Sequence, residues 1–330
     1  MTKFIDKSFM GELQKEGYFR FSDATPTITP NNIGAPAGLL SQLSKQAVEN
    51  ILTARRGEAI IGGRTKLLDW AEENVYIPFI ERTGQTEAYG DFNQPTSSGL
   101  NASFNNFGHY RFSAMVQVGT LLQEQYAKLG MNAEVEVQNA ATEALAVEFN
   151  RTAIYGYVSN SSNQFLTYGL LNNPDLDPFV NSNTTFENMT WQEVVAFFAK
   201  AISELNTKTG GHVDSQSKIR VALASSTMAF LSKFTDIGIP IFEQIQKLYP
   251  NMEFIPAPEL EKANNNQNVI YFIAENGLGG VSKTMDLGFS EMARFSFKEQ
   301  HHNHTSQVIS TGTIGCVVYK PAFVLRYTNI

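Results

Sequence analysis

Residues Asn132 to Tyr155 read NAEVEVQNAATEALAVEFNRTAIY, and the chain continues through Gly156 into QFLTYGLLNNP, ending at Pro174. From Asn132 to Tyr155 there is no Pro or Gly, and Ala, Glu and Leu dominate, all good helix formers. Asn132 is suited to cap the first free amides, Glu134 and Glu136 sit where the helix dipole favours negative charge, and Gly156 supplies a stop. At 1.5 Å per residue such a helix is a rod of roughly 36 Å, long for a globular protein. Val137, Ala141, Leu145, Phe149 and Ala153 recur every fourth residue, a drifting apolar stripe with Ala144 and Ile154 expected beside it. Small side chains on that stripe let a sheet or another helix approach closely.

Outward from the rod, the totals set bounds. A chain of 330 residues with 42% hydrophobic content can bury a large core or two sub-domains, and is not a disordered polymer. Only 17% of residues are charged, low for a soluble surface, while 24 Phe and 12 Tyr need cover. If the fold is extended, part of that cover has to come from other subunits. The formal charge is −7: residues 1 to 60 carry seven Lys/Arg against six Asp/Glu, and the remainder 18 against 26. No basic tail or stripe is present, which argues against tight direct nucleic-acid binding. Cys316 is the single cysteine, so an intramolecular disulfide is excluded, and its setting TGTIGCVVY reads as a buried strand. The first residues lack an apolar signal region, and no run of 18 apolar residues occurs, so the expectation is a soluble chain made in a cytoplasm.

Before the rod, residues 1 to 35 combine scattered aromatics, among them Phe19 and Phe21, with the turn-rich TPTITPNNIGAP, which reads as an extended arm. Ala37 to Arg56 reads as a helix ending before Gly57. VYIPFI carries Pro78, which confines it to a sheet edge. Thirty residues of Gly, Ser, Thr, Asn and isolated aromatics follow, from Glu81 to Tyr110, flanked by strand-like Val75–Glu81 and His109–Val118. A structureless loop of that length is improbable in a domain, so a long projecting two-stranded hairpin is expected, and such a hairpin needs a neighbour to lie on. A short helix, Thr120 to Leu129, precedes the rod. Beyond Pro174 an α/β pattern follows, with a capping box at Thr190 and Glu193, strands near 219–225, 253–256, 269–273, 294–298, 308–319 and 323–327, and helices near 226–234 and 241–249.

A search for chemistry returns little. GEAIIGGRT from Gly57 imitates a phosphate-binding loop, but Gly63 stands where the Lys must be and a helix, not a strand, precedes it. The GLGG cluster at Gly277–Gly280 lacks dinucleotide-fingerprint spacing. His301, His302 and His304 are the best metal candidate, yet no Cys or HExxH pattern completes a site, and a polar turn is the expectation. Glu143 and Glu148 point to different faces of the rod, His109 and His212 fall in loops, and no GxSxG elbow offers a nucleophile. No catalytic residue, cofactor site or metal site is expected.

Taken in order, arm, helix, projecting hairpin, rod, GLLN turn, α/β region and return strands resemble the HK97-fold major capsid proteins of tailed phages. The resemblance is closest to the branch with a spine helix of the form NAATEALAVEFNRTAIYG followed by YGLLNNP, and it covers the chain from about Leu67 onward. Its most specific marks are Glu148, Asn150, Gly156, the run Gly169-Leu170-Leu171-Asn172, and STGTIGCVVYKPAFVLRY. The resemblance implies an α+β fold: an N-terminal arm and helix (1–57), a P domain (58–75, 117–185 and 283–317) with its spine at 132–155, an E-loop (76–116), and an α/β A domain (186–282 and 318–330). It implies a structural protein of the virion, made in a bacterial host's cytoplasm, whose hexamers and pentamers close into an icosahedral shell around packaged DNA. Implied partners are further copies, a portal, and scaffold or decoration proteins, with DNA held weakly and no membrane. Tyr89, Phe92, Phe104 and Phe107 on the hairpin, with Phe19 and Phe21 on the arm, are the candidate inter-subunit residues. Some relatives cross-link this loop through a Lys, whereas no Lys lies between Lys66 and Lys128 here. Some also lose a long N-terminal scaffolding segment, and with about 60 residues before the match no processing is expected. Alternatives are an encapsulin-like compartment shell and, from another class, a metal-dependent hydrolase or metal-binding domain using the three histidines.

Overall fold

The computed structural model describes residues 54–86, 89, 91, 97–159, 165–235, 238–275 and 283–330. The chain divides into Met1–Asn50 and Ile51–Ile330, and all described residues belong to the second unit. The expected arm, most of the helix 37–56 and the GLGG cluster lie outside them.

In chain order the elements are α1 (Gly57–Ile61), β1 (Arg64–Lys66), β2 (Asn74–Thr83), β3 (Gly99–Gly108), β4 (Tyr110–Gly119), α2 (Thr120–Lys128) and α3 (Ala133–Tyr155). There follow β5 (Tyr157–Val158), β6 (Phe165–Thr167), β7 (Val180–Asn181), α4 (Trp191–Lys208), β8 (Ile219–Ala224), α5 (Ser225–Leu231), α6 (Ile241–Leu248) and β9 (Met252–Ala257). The chain closes with β10 (Val269–Ala274), β11 (Met285–Phe289), β12 (Arg294–Phe295), β13 (Glu299–Gln300), β14 (His304–Val318) and β15 (Val324–Thr328).

The rod is α3, 23 residues long, with the Asn132 side chain accepting from Glu134 N at 3.1 Å. Its predicted stripe faces inward: Val137, Ala141 and Leu145 pack with Val116, Val118 and Ile309, while Phe149 and Ala153 enter a second core. Ala144, expected beside the stripe, is exposed, because at about 100° per residue it lies about 100° from Leu145, on the side that the drifting stripe leaves.

The strand under the rod is β14, 15 residues long and flanked antiparallel by β4 on one side and by β11, β12 and β13 on the other. Alternation assigns its two faces. Phe112, Ala114, Val116 and Val118 of β4 point to α3, whereas Met115 and Val308 lie opposite each other on the outer face. This pairing corrects the expected hairpin. His109–Val118 is not its return strand; Gly99–Gly108 lies opposite Asn74–Thr83, and Tyr110–Gly119 runs along His304–Thr313 instead. LNASFNNFG reads as loop because both its faces are largely open, so no apolar alternation marks it as a strand.

A second, five-stranded sheet runs β7-β15-β10-β8-β9. It is mixed, β8 being parallel to β9 and antiparallel to β10. One face packs on α4 through Val194, Phe197, Phe198, Ala201, Ile202 and Leu205. The other face, with Ala222, Val269, Tyr271 and Ile273, shares a core with Ile154, Leu170, Met285 and Cys316. Rod and second sheet are therefore built on common apolar contacts.

Candidate assembly surfaces

The hairpin β2–β3 is a ladder of ten residue pairs, about 33 Å long at 3.3 Å per residue. Its two faces have different fates. Val75, Ile77 and Phe107 sit on Leu68, Ile314 and Val317 and root the hairpin in the body. The opposite face carries Tyr76, Pro78 and Ile80 from β2, set across from Asn106, Phe104 and Ala102, with Leu100 one pair further out. Tyr76, Ile80, Leu100 and Phe104 are each at least 60% exposed. Pro78 has no amide to donate, which is tolerated because the hairpin has only two strands.

Of the expected inter-subunit residues, Tyr89 is 94% exposed and Phe104 66% exposed, whereas Phe107 is buried in the chain's own core. Strand parity separates the two phenylalanines, since Phe104 and Phe107 are three apart and face opposite sides. Phe92, Phe19 and Phe21 lie outside the described residues. Sequence reading missed Tyr76, Ile80 and Leu100, although the alternation Tyr76-Pro78-Ile80 in VYIPFI was a usable signal. It also missed the exposed Phe295, which ends β12, and Phe297, between β12 and β13.

The GLLN turn has a definite task. The last carbonyls of a helix lack intrahelical partners. Here Leu170 N donates to Ala153 O at 2.9 Å, Leu171 N to Ile154 O at 3.0 Å, and Asn172 Nδ2 to Tyr155 O at 2.6 Å. Asn172 Oδ1 in turn accepts from Gly169 N at 2.7 Å. A Cβ on Gly169 would come within 2.3 Å of Gly156 N, so the approach requires glycine. Buried Arg326 holds the following segment through the carbonyls of Leu171, Leu176 and Asp177.

At the other marked position, Asn150 Oδ1 accepts from Gly57 N at 2.8 Å and Asn150 Nδ2 donates to Glu259 Oε1 at 2.8 Å. This explains why Gly57 opens a helix rather than ending one: its free amide is satisfied by the rod. The phosphate-loop mimic is that helix followed by Gly62 and Gly63 at positive φ, with Arg220 donating to the carbonyls of Ala59 and Ile60 where a phosphate loop would present amides. Glu143 pairs with Arg55 at 3.3 Å, while Glu148 meets Arg151 at 3.6 Å and Tyr110 Oη at 3.4 Å. The two carboxylates do not converge. Burial, then the nearby Glu148 carboxylate, pushes the Tyr110 hydroxyl up to about 12. Burial likewise holds the Cys316 thiol at about 12, an inert strand residue.

His301 and His304 stack at 4.5 Å, and His301 Nε2 lies 3.2 Å from Ser306 Oγ. Parallel imidazole planes do not converge lone pairs on a common point. Among the described residues no three His, Cys, Asp or Glu side chains group as metal ligands. Among them, too, no helix is long and apolar enough to cross a membrane.

A rod lying over a long antiparallel strand, with a projecting hairpin, defines the HK97-like fold of phage capsids, and solved structures agree. The capsid of Myoviridae phage XM1 matches at TM-score 0.73 and 13% identity, over 89% of this chain and 98% of that one. A structure of Mycobacterium phage Adephagia matches at 0.59 and 8% identity, over 88% and 95%. The capsid of a native GTA particle matches at 0.58 and 10% identity, over 91% and 99%. No curated protein matches the chain. The profile of the Pa193 gp26 major capsid protein family matches residues 26–329, and the chain belongs to that family. It is a structural, non-enzymatic protein of a phage capsid, and it assembles with copies of itself into the shell of the virion.

Proposed function

We propose that copies of this chain form hexamers and pentamers that close into an icosahedral shell around packaged double-stranded DNA, each hairpin lying over an adjacent subunit. The observation that carries this reading is the hairpin's outer face. Tyr76, Pro78, Ile80, Leu100, Ala102 and Phe104 form a continuous apolar strip on a two-stranded ribbon, and none of the described residues covers it. Such a strip in water is an interaction site or an aggregation hazard, and a two-stranded ribbon is marginal alone. A head-to-tail contact in which each copy's hairpin covers the next closes a ring without exhausting itself, as a shell requires.

Within that reading, α3 and the β14 sheet serve as the P domain, the β8–β10 sheet with α4 as the A domain, and the E-loop is the hairpin 74–108. Portal, scaffold or decoration proteins are the further partners, and assembly takes place in a bacterial host's cytoplasm. DNA is held by confinement, since the chain is acidic at −7 and has no basic tail.

Electron microscopy of the purified full-length protein tests the proposal. Wild-type chain is expected to give rings or shells, and the triple variant Tyr76→Ser, Ile80→Ser, Phe104→Ser a folded subunit that does not assemble. Normal shells from the triple variant would sink the hairpin's role.

A further inference from the structure

His109 stands alone between β3 and β4, at the point where the hairpin joins the body. It is the buried imidazole at that root, only 6% exposed. Its Nδ1 lies 2.7 Å from the Glu72 carbonyl and must donate to it, so in the neutral ring Nε2 accepts from the Ser290 hydroxyl at 2.8 Å. The backbone N of His109 also donates to Glu73 O at 2.8 Å. The ring thus ties the residues that enter β2 to the residue that leaves β3, and both to Ser290 at the end of β11.

No slack surrounds it. A Cβ on Gly312 of β14 would meet His109 Nε2 and Ser290 Oγ far inside contact distance. Trp70 closes the ring edge-on, at 6.0 Å between centroids and 87°. The charges facing it are unbalanced. From β4, Arg111 donates Nη2 to the same Glu72 carbonyl at 2.6 Å and Nε to Trp70 O at 2.9 Å. Arg294 stacks over Trp70 at 5.2 Å but is paired with Glu291 at 3.9 Å, so Arg111 is the cation that counts. Glu72 is the facing carboxylate, but its Oε2 is engaged by Asp69 N at 2.8 Å.

We propose that His109 is a proton-operated pin: its neutral form ties the two ends of the hairpin root to Ser290, and protonation loosens that root while Val75, Ile77 and Phe107 keep their packing on the body. A protonated ring turns Nε2 from acceptor into donor, so the Ser290 hydroxyl must rotate its proton away and accept, in a site packed against Gly312, and a buried cation is placed beside Arg111. Burial foremost, then Arg111, lower the proton affinity of His109, and the Glu72 bond and carboxylate only partly oppose them. The sign follows. The pin's contribution is complete above the unfolded value of about 6.5 and is lost as pH falls from there through the lower native value. The loosened root carries the ribbon that the assembly reading lays over a neighbouring copy, but the loosening belongs to the single chain and does not rest on that reading.

Histidine C2-proton exchange read by mass spectrometry, with amide exchange in parallel, tests this on the unassembled full-length chain. The His109 midpoint is expected below the ordinary histidine range. Amides at 72–74 and 109 are expected to exchange at least about tenfold faster below that midpoint, after correction for intrinsic rates, while amides in mid-ladder keep their protection. Ser290→Ala removes the hydroxyl donor that favours the neutral ring, so it should move both transitions to higher pH together, and His109→Gln should abolish the amide transition. An ordinary His109 midpoint, or an amide transition unmoved by Ser290→Ala, would overturn the pin even if His109→Gln failed to fold.

Discussion

At the end of the rod, two side-chain identities decide whether three helix carbonyls are satisfied. Gly169→Ala places a methyl 2.3 Å from Gly156 N and 2.5 Å from Ile154 O, both backbone atoms that cannot rotate away. The cost is expected at about 1–3 kcal/mol or more, the range for overpacking. Gly130 is the control: it has φ +73° but nothing within 4 Å, so Gly130→Ala should cost only about 1–2 kcal/mol of backbone strain. Asn172→Ala strands Tyr155 O and Gly169 N together and is expected to cost about 1–3 kcal/mol. Thermal melts of the isolated subunit check the order; a Gly169→Ala melt no lower than that of Gly130→Ala would show the turn is not the tight cap described. The sequence marks Gly156, Gly169 and Asn172 as a group, yet their chemistry is invisible there, because the carbonyls they serve lie up to 17 positions upstream.

The hairpin shows the same division at the scale of an element. Its existence was legible from length alone, since thirty residues without structure are improbable in a folded body. Its partner strand was not, because β3 buries almost nothing and a strand exposed on both faces leaves no alternating pattern. The rod, by contrast, was legible to within a residue, because one of its faces is buried on a period of nearly four. Parity along β3 then yields a prediction in two halves. Phe107→Ala empties a site among Leu68, Ile314 and Val317 and should lower subunit stability by about 3–5 kcal/mol. Phe104→Ser, on the opposite face, should leave subunit stability within about 0.5 kcal/mol while lowering shell yield. Chemical denaturation of the subunit alongside sedimentation of assembled material separates them, and equal losses of stability would place both rings in one core.

For the whole molecule, charge and apolar surface make opposite demands on assembly. Each copy carries −7, so bringing copies together accumulates like charge, and the chain offers no basic segment to offset it. The attraction must then come from surface such as the hairpin's outer strip and the exposed Phe295 and Phe297, whose burial strengthens with apolar area and is indifferent to screening. Raising ionic strength from about 0.1 M to about 1 M shortens the Debye length from about 10 Å to about 3 Å and removes most of the repulsion between exposed charges. Assembly is therefore expected to hold or improve across that range, whereas an interface built on surface ion pairs would weaken. Cooling works on the other term: apolar burial loses strength at low temperature, so assembly near 4 °C should be poorer than at 25 °C. Light scattering of purified chain across a grid of salt and temperature reads both trends at once. Shells that dissolve with added salt while tolerating cold would assign the cohesion to charge pairs and displace the apolar strip from its role.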